Sequence, residues 1–580
     1  MTRRVAVIDR DVCIKQECGY VCQKVCPVNR MGEMCIEIEK DTNYPVISEL
    51  LCIGCNICVK KCPVSCISII NLAGETGDPI YQYGINTFRV YGLPLAQEGA
   101  VSLVGKNGIG KTTTLRILTK QLLPNFAIFD KDLTEKEIYE KLPIEIRRHL
   151  QGIGSQLKIS FKPQHVDKIR DAFKGTAKQL LTSMGAKDIE KLAQLFNIEI
   201  ILDRDVNQLS GGELQKLAVA AAYAKDADIY YFDEPTNYLD IEERLRIAVL
   251  LRNLSEKTRV MLVEHDLTIL DYVSSYVYLF YGEENVYGVV SGIKNVRTGI
   301  NEYIAGFLKD ENIRFRDHEI YFSKHSEGEL KTKSLIDYSN FEKNFNSFKF
   351  SASEGQIREG EILGLVGKNA LGKSLFIKML AGVEKSDKGD QIKLTVSYKP
   401  QYVQPQDVLV RELFASQKLN SSVFEESKRM LKIQTLMEKK LTELSGGELQ
   451  RVALTLALSR EADIYLFDEP SAFLDIEQRF AFASLLRKVI SETKKAAFVV
   501  DHDIVFIDFI SNRLVVFEGE SSVKGFANSP MGKKDGMNKF LSITGITMRR
   551  DKDTSRPRIN KPDSALDREQ KEKEEYYYSL

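Results

Sequence analysis

Two short apolar runs, AVSLV at 100–104 and EILGLV at 361–366, each lead straight into a glycine-rich polar stretch. The pattern predicts strand, tight loop and helix in that order. Two further runs, IYYFD at 229–233 and IYLFD at 464–468, are apolar until their last residue and predict buried strands that end in an acid. The stretch LTEKEIYEKLPIEIRRHL at 133–150 carries apolar residues at helical spacing on two segments divided at Pro143. Proline lacks a backbone donor and breaks a helix, so a helix-loop-helix is predicted there. The longest apolar stretches, such as 217–224 and 496–500, end in Lys225 and Asp501. They fall far short of the ~18 residues that a membrane-spanning helix needs.

Composition adds bounds rather than chemistry. At roughly 100 to 200 residues per domain, a chain of 580 residues implies about three to five domains. An apolar fraction of 43% with 28% charged residues is ordinary for packed domains and excludes wholesale disorder. Lys and Arg number 81 against 81 Asp and Glu, so any attraction to nucleic acid must come from a local patch. The opening MTRRVAVIDRDVC has charge every few residues and no apolar core of signal-peptide length, which predicts a chain kept in a reducing compartment.

All 10 cysteines lie between Cys13 and Cys66. Cys52, Cys55, Cys58 and Cys62, followed by Pro63, form the C-x2-C-x2-C-x3-C-P run by which bacterial-type ferredoxins hold [4Fe-4S] clusters. Cys13, Cys18, Cys22 and Cys26, followed by Pro27, form a looser version of it. In two-cluster ferredoxins the fourth cysteine of each run ligates the other cluster. One cluster is thus expected on Cys13, Cys18, Cys22 and Cys62, and the second on Cys26, Cys52, Cys55 and Cys58. Cys35 and Cys66 are left as small buried apolar residues. A disulfide scaffold is disfavoured by the missing export signal, and paired zinc ribbons call for separated CxxC pairs.

From residue 80 onward the sequence repeats. GKNGIGKTT at 105–113 and GKNALGKS at 367–374 both satisfy the phosphate-loop pattern G-x-x-x-x-G-K-[ST]. In such a loop the backbone N–H groups, with Gly105, Asn107, Gly108, Gly110 and Thr113 or Gly367, Asn369 and Gly372, cradle phosphate. Lys111 or Lys373 reaches the terminal oxygens, and Thr112 or Ser374 takes Mg²⁺. Further on, LSGGELQK at 209–216 and LSGGELQR at 444–451 recur, followed by Asp233-Glu234-Pro235 and Asp468-Glu469-Pro470, then by His265 and His502. Lys-Pro-Gln164 and Lys-Pro-Gln401 precede them, and YLD at 238–240 and FLD at 473–475 follow the acids. The interval from Ser210 to Asp233 equals that from Ser445 to Asp468.

This set resembles the ABC ATPases. The resemblance implies that Asp233 and Asp468, with Gln164 and Gln401, belong to the Mg²⁺ sites, and that Glu234 and Glu469 act as general bases. It also makes Gln164, Gln401, His265 and His502 sensors of the γ-phosphate, and Ser210, Gly211, Gly212, Ser445, Gly446 and Gly447 phosphate donors. In that family the heads pair head to tail, so that Ser210 completes the site of Lys373 and Ser445 that of Lys111. Tyr83 with Phe88, and Tyr338, are the candidates for stacking on adenine. Ala370 stands where the first loop has Gly108, and an alanine there at positive φ is expected to be strained.

The interval from lysine to glutamine is longer in the first copy, by about residues 130–154, the predicted helix-loop-helix. Two ferredoxin-like clusters ahead of two heads, one with this insertion, resemble the ribosome-recycling ABC ATPases of subfamily E, the RNase L inhibitor family. YGIN at 83–86, VRTGIN at 296–301, ENIRFR at 311–316, GMNKF at 536–540 and RPRIN at 556–560 carry the likeness over nearly the whole chain. It implies an N-terminal α+β iron–sulfur domain followed by two α/β nucleotide-binding domains. The expected parts are an iron–sulfur domain at 1–75, a first head at 76–291, a hinge at 292–325, a second head at 326–530, a C-terminal hinge segment at 531–562 and a flexible tail at 563–580.

The resemblance also implies an ATPase that uses ATP, Mg²⁺ and two [4Fe-4S] clusters to split ribosomes and can stay on the small subunit. Expected partners are ribosomal RNA, a release factor or its stalled-ribosome relative, and translation initiation factors. The chain is expected to be a monomer, cytoplasmic, and also nuclear during subunit export. Arg549, Arg550, Lys552, Arg556, Arg558 and Lys561, against Asp551 and Asp553, suit phosphate contacts. The rival readings are an ATP-gated electron-transfer enzyme built on the clusters, a transporter's ATPase subunit, and a translation factor of another ABC subfamily.

Overall fold

The computed structural model describes residues 4–72, 77–322, 332–345, 348–380, 382–388, 395–401 and 404–577. The chain divides into two compact units. One comprises Met1–Tyr238, Ile247–His265 and Val273–Glu319, and the other Leu239–Arg246, Asp266–Tyr272 and Ile320–Leu580. The expected boundaries at 75/76 and 325/326 and the last three residues of the expected tail lie outside the described residues. No helix among the described residues is long and apolar enough to cross a membrane.

In the first unit, strand Arg4–Ile8 pairs antiparallel with Ile67–Asn71 and brings the two ends of the cysteine region together. Alternation along the strand splits its side chains between two cores. Ala6 and Ile8 face the buried cysteines. Val5 and Val7 pack with Leu72 against Tyr91, Val286 and Val289 of the first head. Asn86 of the YGIN motif locks this junction: its Nδ2 donates to the Ile47 carbonyl at 3.0 Å and to that of Ala6 at 3.2 Å, and its Oδ1 accepts from Ile47 N at 2.7 Å. Arg89 adds a paired contact to Glu49 at 2.7 and 3.0 Å. A buried asparagine with its amide filled on both sides fixes orientation as well as distance.

The first head is built on a sheet whose order, among the described residues, runs Tyr81–Gln82, Arg89–Tyr91, Tyr287–Asn295, Tyr276–Glu283, Ala100–Val104, Arg259–Val263, Ile229–Asp233, Ile159–Lys162. The last five in that order run parallel, and Ala100–Val104 and Ile229–Asp233 among them are buried throughout. The second unit repeats the order with Phe341–Asn344, Lys349–Ala352, Lys524–Ala527, Arg513–Glu520, Ile362–Val366, Ala496–Val500, Ile464–Asp468 and Val396–Lys399. In such sheets ligands bind beyond the carboxyl ends of the parallel strands. The phosphate loops, acids and histidines all leave from those ends.

The predicted insertion forms helices Glu135–Lys141 and Ile144–Gly152, with Thr134 as the N-cap of the first and Pro143 opening the second. It is no loose decoration. Ile138, Leu142, Ile146 and Leu150 form a buried core with Leu93, Leu95 and Phe126. His149 is buried, its Nε2 lying 2.8 Å from the Leu118 carbonyl and 3.2 Å from the Tyr231 hydroxyl.

Two expectations for the C-terminus are corrected. The stretch from 563 is not a loose tail within the described residues. Ser564 caps the helix Ala565–Glu572, and Tyr577, 2% exposed, inserts beneath Arg550 and Asp508. Charge alone suggested fraying, but a phenol with two polar partners and buried ring area outweighs it. The basic stretch is also not an open patch: Arg550, Arg556 and Arg558 are committed to Asp508, Asp271 and Asp551. A count of like charges in the sequence misses the carboxylates that distant segments bring to them.

Candidate functional site

The first site gathers at four adjacent strand ends. Helix Lys111–Leu118 starts after Gly110, and Lys111 Nζ folds onto the carbonyls of Gly105 at 2.8 Å and Lys106 at 2.5 Å. Gly110 is at φ +95°, and a Cβ there would press on Val90 at 2.7 Å and Phe88 at 3.0 Å, so the loop needs glycine. Lys162, fully buried on the edge strand, donates to the backbone carbonyls of Asp233 at 2.8 Å and Glu234 at 3.0 Å, which fixes the turn carrying both acids. Burial holds the Lys162 ammonium down to about 8 despite the nearby carboxylates.

Glu234 is the focus. Its Oε1 accepts from Gln164 Nε2 at 2.8 Å and lies 3.5 Å from His265 Nε2, while Asn237 Nδ2 donates to Oε2. Burial pushes its carboxyl up, but His265, Lys111 and Gln164 outweigh it and hold it down to about 2, so it stands ionised. Asp233 goes the other way, pushed up to about 7 by burial and by the Glu234 charge. Among the described residues neither Asp233 oxygen, both buried, has a hydrogen-bond partner, and the Thr112 hydroxyl lies beside them. An acid so placed suits a divalent cation. Gln164 and Gln401 are engaged by the glutamates rather than by the aspartates.

The second site repeats this geometry. Lys373 Nζ donates to Gly367 O at 2.7 Å and Lys368 O at 2.6 Å. Gln401 Nε2 reaches Glu469 Oε1 at 2.7 Å, and His502 Nε2 lies 3.4 Å from the same oxygen. Asp468, whose buried Oδ1 has no hydrogen-bond partner among the described residues and lies beside the Ser374 hydroxyl, is pushed up by burial. Within the second unit, Asp240 Oδ2 also accepts from Asn369 N at 3.1 Å, and Glu242 pairs with Lys368 at 2.7 Å. Ala370 does sit at φ +59°, against +66° for Gly108. Glu264 binds the hydroxyl of Thr236, and Asp501 that of Ser471, so each carboxylate before a histidine braces the turn after the acids.

The aromatic assignments fare unequally. Tyr83 is 49% exposed, with its hydroxyl 3.0 Å from Thr113 Oγ1, and Phe88 lies against the loop at Gly110. Tyr338 is corrected: it is 5% exposed, stacked on Phe341 and set edge-on to Phe376 in the core, and cannot reach a base. In the second copy Phe348 approaches Gly372 as Phe88 approaches Gly110, and Phe345, 44% exposed, stands where Tyr83 stands in the first. Phe345 N donates to Phe348 O at 2.8 Å, as Tyr83 N does to Phe88 O at 3.3 Å. The signal missed was the position of these rings just before strand Lys349–Ala352, as Phe88 precedes Arg89–Tyr91.

Ser210 and Ser445 are the N-caps of helices Gly211–Tyr223 and Gly446–Ser459. Each closes a capping box, with Glu213 N donating to Ser210 Oγ and Glu448 N to Ser445 Oγ, both at 3.3 Å. Gly211 and Gly212, like Gly446 and Gly447, are the first helical residues, so their N–H groups belong to the unsatisfied end of a helix dipole.

The cysteines lie in one buried cluster, in which Cys18, Cys13 and Cys62 act on Cys22, and Cys52, Cys55 and Cys26 act on Cys58. The Cys22 thiol is pushed up to about 11 by burial and by Cys18, Cys13 and Cys62, and the Cys58 thiol to about 11 by burial and by Cys52, Cys55 and Cys26. Thiols that raise one another are stabilised by positive iron. Among the described residues no three His, Cys, Asp or Glu side chains close tightly on a single metal ion. Cys26, Cys52, Cys55 and Cys58 instead line one cavity with Val28, Ile36 and Ile47, a thiol donor set of the kind that holds an iron–sulfur cluster. Cys35 and Cys66 are buried beside them, with Cys66 Sγ 3.5 Å from Cys62 Sγ.

The ABC transporter family profile matches residues 90–237 and 350–472, and that of the 4Fe-4S binding domain residues 45–68. An uncharacterized ABC transporter ATP-binding protein of Methanocaldococcus jannaschii is 46% identical, over 99% of this chain and 97% of its own. ABC transporter E family member 1 of Arabidopsis thaliana is 41% identical (99% and 98%), and translation initiation factor RLI1 of Saccharomyces cerevisiae 39% (99% and 98%). The structure of ribosome-bound archaeal Pelota and ABCE1 contains a chain 44% identical that superposes with a TM-score of 0.92 over 100% of both chains. In the complex of an archaeal ribosomal stalk protein with the archaeal ribosome recycling factor aABCE1, a chain 44% identical gives 0.81 over 86% of this chain and 99% of that one. Two sets of nucleotide-site residues behind one block of cysteines, matched over 99% of the chain by relatives 39–46% identical, leave one assignment: the chain belongs to subfamily E of the ABC ATPases, the RNase L inhibitor family.

Proposed function

We propose that this protein is an ATP-driven ribosome recycling factor that splits ribosomes into subunits and stays on the small one. The observation that carries the reading is the similarity to a ribosome-bound relative over 100% of the chain and to a ribosome recycling factor over 86% of it, in a chain that keeps both sets of site residues. Glu234 and Glu469, ionised and aimed by glutamine and histidine, orient the attacking water and accept its proton. Lys111 and Lys373 leave their loop carbonyls for phosphate oxygens. His265 and His502, each within reach of its glutamate, register the γ-phosphate. Thr112 with Asp233, and Ser374 with Asp468, hold Mg²⁺, which when bound neutralises phosphate charge. In this reading the serine loop of each head completes the other's site, so ATP joins the heads and its hydrolysis releases them.

The two quartets hold [4Fe-4S] clusters, which supply rigid cross-links between distant backbone segments when bound. The junction through Asn86, Arg89 and Glu49 passes head movement to that domain. Partners are the ribosome with its RNA, a release factor or the Pelota-type protein of stalled ribosomes, and initiation factors. A single chain carries both heads, so a monomer suffices, working in the cytoplasm and, during subunit export, in the nucleus.

The test is co-sedimentation with small ribosomal subunits. The chain with Glu234→Gln and Glu469→Gln is expected to lose ATP hydrolysis by about 10²-fold or more and to sediment with subunits in ATP but not in ADP. Equal sedimentation in both nucleotides, or turnover left unchanged, contradicts the reading.

A further inference from the structure

Cys35 and Cys66, the two cysteines outside the expected quartets, hold equivalent places in the chain. Each follows a Cys-Pro pair, Cys26-Pro27 or Cys62-Pro63, and each opens a C-I-x-I stretch that ends at Ile38 or Ile69. Both stand immediately before a strand, Ile36–Ile38 or Ile67–Asn71. Both are pinned there by the backbone just past the partner strand: Ser48 N donates to the Cys35 carbonyl and Asp9 N to that of Cys66, each at 2.8 Å.

Their surroundings match as well. Cys35 faces Cys26 and Cys52, two thiols of the second expected quartet, and lines one cavity with them and with Cys55 and Cys58. Cys66 faces Cys62 and Cys13, two thiols of the first, with its Sγ 3.5 Å from Cys62 Sγ. In both halves the extra thiol therefore meets the cysteine that crosses from the other run and the first cysteine of the run it joins. A residue that only fills space has no reason to select the same two partners twice, and a small apolar side chain would fill that space without a sulfur. Cys35 and Cys66 are buried, whereas Cys13 and Cys62 are half-buried and Cys55 is exposed. Oxidants reach exposed thiolates first, so the extra thiols are the protected ones.

We propose that Cys35 and Cys66 are reserve ligands, one for each iron–sulfur cluster, and that each binds iron when one of the two thiols it faces is lost as a ligand. This rests on the quartets of the proposed function. In the exchange the bond from iron to the departing sulfur breaks, the S–H bond of Cys35 or Cys66 breaks as its sulfur binds iron, and the departing sulfur takes up the proton. No electron moves.

The test counts iron and acid-labile sulfide in the full chain purified without oxygen. Cys35→Ala with Cys66→Ala is expected to keep both clusters, because both quartets are intact. Cys62→Ala alone and Cys26→Ala alone are each expected to keep both clusters as well. Cys62→Ala with Cys66→Ala, and Cys26→Ala with Cys35→Ala, are expected to lose about half of the iron. Cys66→Ser in the Cys62→Ala chain is expected to shift the visible absorption of the clusters, since oxygen then replaces sulfur on iron, and to leave it unchanged where Cys62 is present. If Cys62→Ala or Cys26→Ala fails to fold, Cys13→Ala or Cys52→Ala takes its place, since each reserve thiol faces both. Equal iron in the single and double variants, whether full or halved, overturns the proposal. So does loss of iron in the chain with Cys35→Ala and Cys66→Ala, which would make these two primary ligands. An iron-free parent chain would overturn the cluster reading itself and the proposal with it.

Discussion

Glu234 and Glu469 sit at φ +49° and +48°, in the left-handed region that a glutamate avoids. Such a conformation costs on the order of 1–3 kcal/mol and persists only where surrounding contacts impose it. Here Lys162 and Lys399 pin the backbone carbonyls, Gln164 and Gln401 pin the side chains, and Gln215 and Gln450 bind the glutamate carbonyls at 2.7 and 2.9 Å. His149 is a second residue under constraint. Burial disfavours its charged form, as does nearby Arg259, and lowers its pKa below the ordinary 6.5 although the Leu118 carbonyl favours the proton. The neutral form is therefore the folded one. Its share of stability is fully present above pH 6.5 and is lost as pH falls through the lowered folded value. Replacing His149 with Phe is expected to flatten the loss of urea resistance between about pH 8 and about pH 5.5. An unchanged pH slope would show that His149 is not what titrates against Tyr231 and the first phosphate-loop helix.

Residues whose role follows from chemistry were legible in the sequence, because phosphate, Mg²⁺ and iron restrict residue type and spacing together. Lys111, Asp233, Glu234, His265 and their twins converge as read. Tyr338 failed because an aromatic near a phosphate loop is as easily core as ligand contact, and its face is set by strand pairing with Gly355–Arg358 that no local pattern reveals. Asp271 and Asp508 carried no signal, since a lone aspartate in a short helix becomes informative only when the arginines that reach it are known.

At the scale of elements, the insertion and the C-terminal end differ from expectation in the same direction, toward integration. The insertion puts an apolar stripe on a core of its own and reaches the strand of Asp233 through His149 and Tyr231. The end of the chain docks as Met548 N bonds to Tyr576 O and Tyr577 N to Asn538 Oδ1. Tyr577→Ala is expected to destabilise the chain by about 3 kcal/mol, the usual cost of deleting a buried ring, with the arginine and aspartate it bridges left unbalanced. Chemical denaturation of the second unit measures this, and a change below about 0.5 kcal/mol, as for an ordinary surface substitution, would return the segment to the status of a loose tail.

For the whole molecule, the account links three parts by named contacts: a cysteine domain fastened to the first head through Asn86 and the Arg89–Glu49 pair, two nucleotide sites of equal design, and a C-terminal hairpin whose arginines bind Asp271 and Asp508. The nucleotide sites drive the movement, and the cluster domain fastened to the first head is expected to be its working end. The most direct measurement is ribosome splitting followed on sucrose gradients with ATP and a partner factor, comparing the cluster-loaded chain with a chain whose Cys22 and Cys58 are serine. The account predicts that the cysteine variant hydrolyses ATP, sediments with small subunits and leaves ribosomes whole; splitting at the rate of the loaded chain would contradict it.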